Sequence, residues 1–295
     1  MRRVERFNEV QDLLRGSMEE HSDLIYDVGL FDGADTAYYL FRGYNVVAVD
    51  ANPLMIEKAR LRFSKEILAK RLTLLNVGIS KTPGTATFWI SENPAWSSFD
   101  RTLASRGGTA HRSIRVSAVP FSQLLAQYGV PHYLKIDIEG NDGLCVEALR
   151  GAKLPKYISV EAECVGGSAT HSDEEPVAML ELLRDVGYQR FKLVNQSRLA
   201  PVGSDVADLC MHVVTSAARG RLRVRGLCGI AERFTEPARL AAAFGFVFSP
   251  GCSGPWGDDI RGGWMAFEKA RSIYRRKRRL FFSPKRDWHD WHATY

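Results

Sequence analysis

Three carboxylates stand at the ends of two apolar segments in the middle of the sequence. Asp137 and Glu139 close the run that begins at Tyr133, and Glu161 closes the run that begins at Tyr157. Short apolar runs of this kind are typical of buried parallel strands, and neighbouring strands lie about 4.8 Å apart. We expect the three side chains to converge at one edge of a sheet, where they can bind an amino group or accept a proton. Capping of the following helix is the alternative role.

Metal and disulfide chemistry receive less support. Asp137 and Glu161 offer the hard oxygen ligands that Mg²⁺ prefers, but no clear third ligand accompanies them. We therefore assign no metal site and keep Mg²⁺ as a secondary possibility. The five cysteines form no C-x-x-C pair, which argues against structural zinc and a disulfide framework.

A glycine-containing turn follows the first predicted strand. Asp27 and Gly29 end that strand, Asp32 and Gly33 follow, and Asp50 ends the second strand. Glycines permit a tight turn and close approach of a ligand, and a strand-end acid at this spacing can accept hydrogen bonds from ribose hydroxyls. The turn lacks G-x-G-x-x-G, and Asp32 would repel a pyrophosphate but tolerate a sulfonium. The pattern favours S-adenosylmethionine over NAD, and an NAD(P)-dependent oxidoreductase is the alternative enzyme.

Several segments together resemble the FkbM family of S-adenosylmethionine-dependent methyltransferases. The resemblance covers roughly residues 24–163, and the segment 135–142, Lys-Ile-Asp-Ile-Glu-Gly-Asn-Asp, is its most specific part. At 78–80 the chain departs from the family pattern, in which alanine and then an acidic residue are common. The matching segments are 27–33, 47–53, 76–80, 97–98 and 135–142, with weaker matches at 253–257 and 288–293.

The resemblance implies binding roles for named residues. Gly29 and Gly33 would flank the methionine part of the cofactor, Asp50 would bind the ribose, and Val77 and Gly78 would lie near the adenine. The remaining predicted cofactor-binding residues are Asp27, Asp32, Ala51 and Asp137.

The resemblance further implies methyl transfer, usually to a hydroxyl of a sugar or natural-product scaffold. Asp137 would hold the methionine amino group or the acceptor hydroxyl, and Glu139 or Glu161 would orient or deprotonate the acceptor. Residues 96–99 and the loop around Trp256 are candidate acceptor-binding elements. A small-molecule or glycan acceptor is therefore the expected partner.

Strand and helix patterns alternate along most of the chain. This alternation predicts an α/β fold with a doubly wound, mostly parallel sheet. The resemblance implies that it is the Rossmann-like class I methyltransferase fold. Residues 85–90 are expected to add an antiparallel strand near the sheet edge. We predict an N-terminal helix in residues 1–20, a cofactor-binding core in 21–204, and a C-terminal lid with a basic helix in 205–295. The tryptophan-rich tail, with His289 and His292, is expected to serve packing.

Composition limits the remaining classes. The net charge of +6 is concentrated in residues 271–286, and no apolar run approaches a membrane span. The absence of a secretory signal pattern predicts a cytoplasmic protein. The basic run is expected to be a solvated helix face, with peripheral membrane contact as a possibility. A binding protein that uses this helix for RNA or an anionic membrane is the non-enzymatic alternative, although nucleic acid is not an expected partner.

Overall fold

The computed structural model describes residues 20–162, 175–196, 199–202, 236–249, 251–281 and 288–295. The predicted helix in residues 1–20 lies outside these ranges, apart from residue 20 itself. The described residues form eleven strands: β1 Glu20–Val28, β2 Asn45–Val49, β3 Leu72–Leu75, β4 Gly78–Ile79, β5 Gly84–Ser91, β6 His111–Val119, β7 Val130–Ile136, β8 Tyr157–Glu161, β9 Arg190–Asn195, β10 Ala200–Pro201 and β11 His289–Thr294.

The same residues form nine α-helices, and each predicted strand of the core has a helix beside it in sequence. They are α1 Ala34–Phe41, α2 Pro53–Arg62, α3 Ser64–Leu68, α4 Arg101–Ala104, α5 Phe121–Tyr128, α6 Asp142–Glu147, α7 Glu175–Val186, α8 Glu236–Phe244 and α9 Phe267–Phe281. Short 3₁₀ turns occupy Pro94–Trp96, Arg106–Gly108 and Gly257–Asp259.

An eight-stranded sheet carries the fold, in the order β10-β9-β11-β8-β7-β1-β2-β3. Strands β3, β2, β1, β7 and β8 are parallel, whereas β11 runs antiparallel to both β8 and β9. The chain winds outward from β1 to β3 and then returns to place β7 on the other side of β1. The carboxyl ends of β1 and β7 therefore form the switch point of a doubly wound sheet, where such folds bind ligands.

Apolar side chains cover the sheet on both faces, as a parallel sheet requires. On one face, Tyr274 of α9 and Trp291 of β11 join the cluster formed with α5, α6 and α7. On the other face, α1 and α2 pack with Trp256, whose ring stacks on Tyr133 of β7 at a centroid distance of 4.8 Å. The predicted α/β class is confirmed.

Two parts of the predicted architecture need correction. Strand β5 is antiparallel as expected, but it pairs with β6 in a separate three-stranded sheet with β4 rather than at the main sheet's edge. Strand β6, its hydrogen-bonding partner, is the next strand in the chain, so the two form an antiparallel ribbon.

The second correction concerns the C-terminal region. The described residues of this region do not form only a lid, because β11 lies between β8 and β9 inside the core sheet, and α9 packs against α7 and β9. The predicted boundary at 204/205 therefore cuts through the core. Within the described part of the chain, no helix combines the length and apolar character needed to span a bilayer.

Candidate active site

A cavity of about 340 Å³ opens at the switch point of the sheet. This volume falls in the range of small-molecule binding pockets, roughly 300–1,000 Å³. Side chains from the ends of four parallel strands and from the 94–97 turn line it. Of the residues predicted from sequence, the cavity wall contains Gly29, Asp32, Asp50, Asp137, Glu139 and Glu161.

Gly29 gives the cavity its floor. Its φ of 94° lies in the left-handed region, and a Cβ there would sit 1.8 Å from the backbone oxygen of Asp137. The backbone N–H of Gly29 donates to the oxygen of Val49 at 2.9 Å. Only glycine lets the ends of β1 and β7 approach this closely, so the turn is shaped by the backbone and leaves room for a ligand.

Asp50 projects from the end of β2 into the cavity. One carboxylate oxygen accepts the backbone N–H of Phe31 at 2.9 Å, and the other accepts that of Asn52 at 2.8 Å. Burial raises the pKa of Asp50 to about 6, although these two hydrogen bonds favour the charged form. Each oxygen keeps a lone pair, so the carboxylate can still accept two hydroxyl groups.

A smaller apolar recess of about 40 Å³ adjoins the main cavity and shares Gly29 and Asp50 with it. Ala51, Val77 and Gly78 line this recess, together with Phe88 and Phe99. Val77 and Gly78 are the residues predicted to lie near the adenine, and Ala51 is a further predicted cofactor-binding residue. The structure brings these three together in one recess beside Asp50.

Asp27 and Gly33 do not line either space. Asp27 is fully buried, and accepts a hydrogen bond from Thr36 Oγ1 at 2.6 Å. Gly33 packs against Phe63, which a Cβ would approach to 2.8 Å. Both residues therefore support the cavity from behind rather than forming its wall. Asp32 has two roles. It lines the cavity, and its carboxylate accepts the backbone N–H of Ala34 at the start of α1.

Lys135 is the central cation of the site, and sequence reasoning did not assign it a role. It is 3% exposed, and its Nζ donates to the Gly29 oxygen at 2.7 Å and lies 3.2 Å from Asp27. Asp35 and Asp137 each lie 3.9 Å away. Burial by itself lowers the pKa of Lys135, but these three carboxylates hold it above its ordinary value. Lys135 therefore fixes the turn and neutralises the acids beneath the cavity.

Asp35 ties the C-terminal region to this cluster. Its carboxylate accepts the backbone N–H groups of Ser253 and Gly254 at 3.1 and 3.0 Å. Burial raises its pKa to about 6. Among the described residues of the adjoining loop, Gly251 and Cys252 reach the cavity wall, whereas Trp256 packs in the core. The loop predicted around Trp256 thus closes one side of the site.

Glu139 has the most constrained backbone of the predicted catalytic residues. Its φ of 53° is unusual for a residue with a Cβ. Ser98 Oγ donates to its backbone oxygen at 2.6 Å, and Asp142 accepts the neighbouring N–H groups of Ile138 and Gly140. The surrounding structure therefore holds a strained conformation that aims the carboxylate at the cavity, as is common at functional sites.

Arg106 forms an ion pair with the Glu139 carboxylate inside the cavity wall. The guanidinium also lies over the ring of Trp96, 5.5 Å from its centroid. Burial raises the pKa of Glu139 to about 7, with Arg106 opposing the shift and Asp137 adding to it. Sequence analysis missed Arg106, since nothing in the Arg-Gly-Gly segment signals a partner 33 residues away.

Glu161 lies at the end of β8 on the far side of the cavity, opposite Asp290 in the β8–β11 register. Both oxygens of Asp290 accept hydrogen bonds from Gln196, and burial raises the pKa of Asp290 well above its ordinary value. Sequence analysis missed this acid because it missed β11. His289 and His292 are buried in the same strand, consistent with the packing role predicted for them.

The residues of the site suit S-adenosylmethionine. The carboxylate at the end of β2 suits a ribose, and the glycine floor leaves room for an extended amino acid. The acidic cavity suits a positively charged sulfur. In the described ranges, no group of three or more His, Cys, Asp or Glu side chains is arranged to hold a metal ion. Glu163, which follows β8, lies outside those ranges.

A doubly wound sheet with its antiparallel strand inside one edge, and with this cavity at the switch point, is the arrangement of the Rossmann-like class I methyltransferase fold. Residues 27–190 match the model of the methyltransferase FkbM domain, and the chain belongs to that family. Its fold and family are those of an S-adenosylmethionine-dependent methyltransferase. The match favours methyl transfer over the oxidoreductase alternative.

Several solved structures show some similarity to this chain, and one of them is named as a [4+2]-cyclase. A precorrin-6y C5,15-methyltransferase from Geobacter metallireducens is 17% identical, with 64% of this chain and 76% of that chain covered and a TM-score of 0.32. A putative rRNA methylase from Clostridium thermocellum is 15% identical, with coverages of 64% and 84% and a TM-score of 0.32.

A phosphoethanolamine N-methyltransferase 2 from Haemonchus contortus, in complex with S-adenosyl-L-methionine, is 11% identical, with coverages of 97% and 52% and a TM-score of 0.34. TM-scores this low carry no argument about this chain. No curated protein matches the sequence.

Proposed function

We propose that this chain is a cytoplasmic O-methyltransferase that methylates a hydroxyl group of a sugar or natural-product acceptor, with Glu139 as the general base. The observation that carries the proposal is the state of Glu139: its carboxylate faces the cavity and burial raises its pKa to about 7. A base is most effective when its pKa lies near the working pH.

The residues around the cavity have separate roles in cofactor binding and acceptor binding. Asp50 binds the ribose hydroxyls, and the recess at Ala51, Val77 and Gly78 holds the adenine. S-adenosylmethionine, when bound, supplies a methyl group on a positively charged sulfur. Asp137 lies beside Glu139 and holds either the amino group of the methionine part or the acceptor hydroxyl. Alignment of the two reactants is the main contribution of such a site.

Glu139 takes the proton from the acceptor hydroxyl. Arg106 keeps its carboxylate oriented, and the strained backbone fixes its direction. Glu161, on the opposite wall, orients the acceptor. The turn that contains Trp96 and Ser97 forms the outer wall, so it contacts the acceptor. Ser98 and Phe99 act indirectly, Ser98 by holding the Glu139 backbone and Phe99 by closing the recess.

Calorimetric titration with S-adenosylmethionine tests the cofactor assignment first. We expect Asp50→Ala to weaken binding at least about tenfold, because each lost hydrogen bond to a carboxylate contributes about 1.5–3 kcal/mol. Asp23→Ala, an exposed acid on β1, is the matched control and should bind as wild type does. NAD⁺ should not bind. Wild-type protein that is folded but does not bind S-adenosylmethionine would refute the assignment.

Turnover then tests the base. S-adenosylhomocysteine formation is measured with a panel of hydroxylated sugars and phenols for wild type, Glu139→Gln and the exposed control Glu147→Gln. We expect Glu139→Gln to lower kcat by about 10²–10⁴ while S-adenosylmethionine affinity is retained. Full turnover by this variant would remove Glu139 from the mechanism.

A further inference from the structure

Three leucines on α2 and α3 point into solvent. Leu54, Leu61 and Leu68 are 54%, 80% and 84% exposed, and they follow one another at intervals of seven residues. The two helices are nearly continuous, since Phe63 N–H donates to the Ala59 oxygen and Ile67 N–H donates to that of Phe63. A spacing of seven places Leu54 and Leu61 on one side of α2, and Leu68 is exposed on α3, beyond the non-helical Phe63.

These leucines do not belong to the inward face of the two helices. Met55, Ile56, Ala59 and Phe63 point inward and are buried against the sheet layer. The amphipathic requirement of the fold is therefore already met by other residues. Single exposed leucines are ordinary, but a group of them marks an interaction surface.

Basic residues are interleaved with the leucines. Lys58 lies four residues after Leu54 and three before Leu61, and Lys65 repeats this arrangement between Leu61 and Leu68. Residues at these spacings are neighbours on a helix surface. Both lysines are exposed. The exposed acid Glu57 also lies between Leu54 and Leu61, where it pairs with Arg60. We call Leu54, Lys58, Leu61, Lys65 and Leu68 the leucine–lysine face.

We propose that the leucine–lysine face docks on an anionic lipid surface. Leucines that enter the acyl boundary, with lysines at the level of the headgroups, are the arrangement that binds such surfaces. A second copy of the chain would bring lysine against lysine, and a nucleic acid would leave the leucines in water. Both are therefore less suited partners.

The leucine–lysine face adjoins the mouth of the cavity. Leu54 stands between Asn52 and Met55, both of which line the cavity. At the other end of α2, Arg62 donates to the backbone oxygen of Asp32 at 2.7 Å, which holds the glycine turn against the helix. Phe31, beside that contact, lines the cavity and is 41% exposed. A bilayer held by this face would lie beside the cavity opening.

The test is co-sedimentation of the full chain with vesicles of phosphatidylglycerol and phosphatidylcholine in equal parts, and with vesicles of phosphatidylcholine alone. We expect binding to the anionic vesicles only. The paired change Leu61→Ser with Leu68→Ser should weaken binding at least about tenfold, as expected for lost apolar burial. Lys58→Gln with Lys65→Gln should weaken it and reduce its dependence on salt. Thermal unfolding of each variant shows that the fold is kept.

Two matched controls locate the effect. Val247→Ser removes an apolar side chain that is 83% exposed elsewhere. Arg275→Gln with Arg276→Gln removes two exposed charges from α9, which packs on the other face of the sheet. Both controls should bind within roughly twofold of wild type. No binding to anionic vesicles, or equal losses in the lysine and arginine pairs, would overturn the proposal. So would a dimer in light scattering that the leucine changes dissociate. This binding assay needs no turnover, so its outcome is independent of the proposed reaction.

Discussion

Replacing Lys135 with methionine tests whether one buried cation holds the site together. Methionine matches the length of the lysine stem and lacks the charge. The change would remove the donor to the Gly29 oxygen and the partner 3.2 Å from Asp27, a carboxylate that is fully buried. It would also leave Asp35 and Asp137 without the cation that lies 3.9 Å from each. Several acids would then share one poorly hydrated region.

The expected loss follows from this geometry. Removing one partner of a buried ion pair costs about 3–5 kcal/mol, because the other charge stays buried without compensation. For a chain of this size, 1 kcal/mol corresponds to a shift in Tm of about 2–4 °C, so Tm should fall by roughly 6–20 °C. The pKa of Lys135 is raised above its usual 10.5, so its contribution is complete below that pH and is lost only as pH rises through the higher value. The decrease in stability caused by Lys135→Met should therefore be constant through neutral pH.

Urea and thermal unfolding measure the effect, with the exposed Lys81→Met as the matched control. The control should change stability by less than about 0.5 kcal/mol. Adding Asp27→Asn to Lys135→Met removes the stranded charge, and we expect this double variant to recover at least about 1 kcal/mol. A loss below about 1 kcal/mol in Lys135→Met, or no recovery in the double variant, would refute the reasoning.

Three further predictions concern the cavity wall. Gly29→Ala should lower stability by at least about 2 kcal/mol more than Gly43→Ala in thermal unfolding, because both glycines have φ near 90° but only the first meets backbone atoms; equal losses would mean that the close approach is unimportant. Arg106→Gln should raise the pKa of Glu139, because a neighbouring cation is lost. The acidic limb of the pH–rate profile should then move to higher pH by about one unit; an unmoved limb would show that the ion pair does not control the protonation of Glu139. Affinity for S-adenosylmethionine should fall as pH drops through about 6, where Asp50 is protonated, and this dependence should be weaker in Asp50→Ala, where Asp35 still titrates near that pH; calorimetry at several pH values decides.

The parallel half of the fold was predictable from sequence because its signals are local. Each of β1, β2, β7 and β8 is a short apolar run that stands next to a polar or glycine-containing turn. Position in such a sheet follows from winding rules, so Asp50, Asp137 and Glu139 could be placed at one edge before any coordinates. Gly29 was also predictable, since the turn requires it.

Strand β11 was not predictable in this way. Its sequence, His-Asp-Trp-His-Ala-Thr, has no continuous apolar run, although all six residues are buried. Its burial depends on pairing with β8 and β9, more than 90 residues earlier in the chain. Asp290 therefore appeared only in the structure. Arg106 and Lys135 were missed for a related reason, because their roles depend on carboxylates that other strands bring to them.

The charges that line the cavity determine which ligands it can bind. In the part of the chain that the structure describes, six carboxylates line the cavity, and Arg106 and Lys135 are the cations in its wall; the carboxylates are Asp32, Asp35, Asp50, Asp137, Glu139 and Glu161. Lys135 is engaged with the acids beneath the cavity and Arg106 with Glu139, so neither is left to hold an anionic ligand. A pyrophosphate would enter a field of its own sign, whereas a sulfonium would be attracted.

The same field acts on the second substrate. A phosphorylated or carboxylated acceptor would have to displace Glu139 from Arg106, which would strand a buried acid, whereas an uncharged hydroxyl compound would leave that pair intact. S-adenosylmethionine, when bound, would supply a positive charge that favours partial deprotonation of such a hydroxyl. The structure thus supports a neutral hydroxyl acceptor, and a phosphorylated sugar that proved a better substrate than its unphosphorylated form would contradict this account of the cavity.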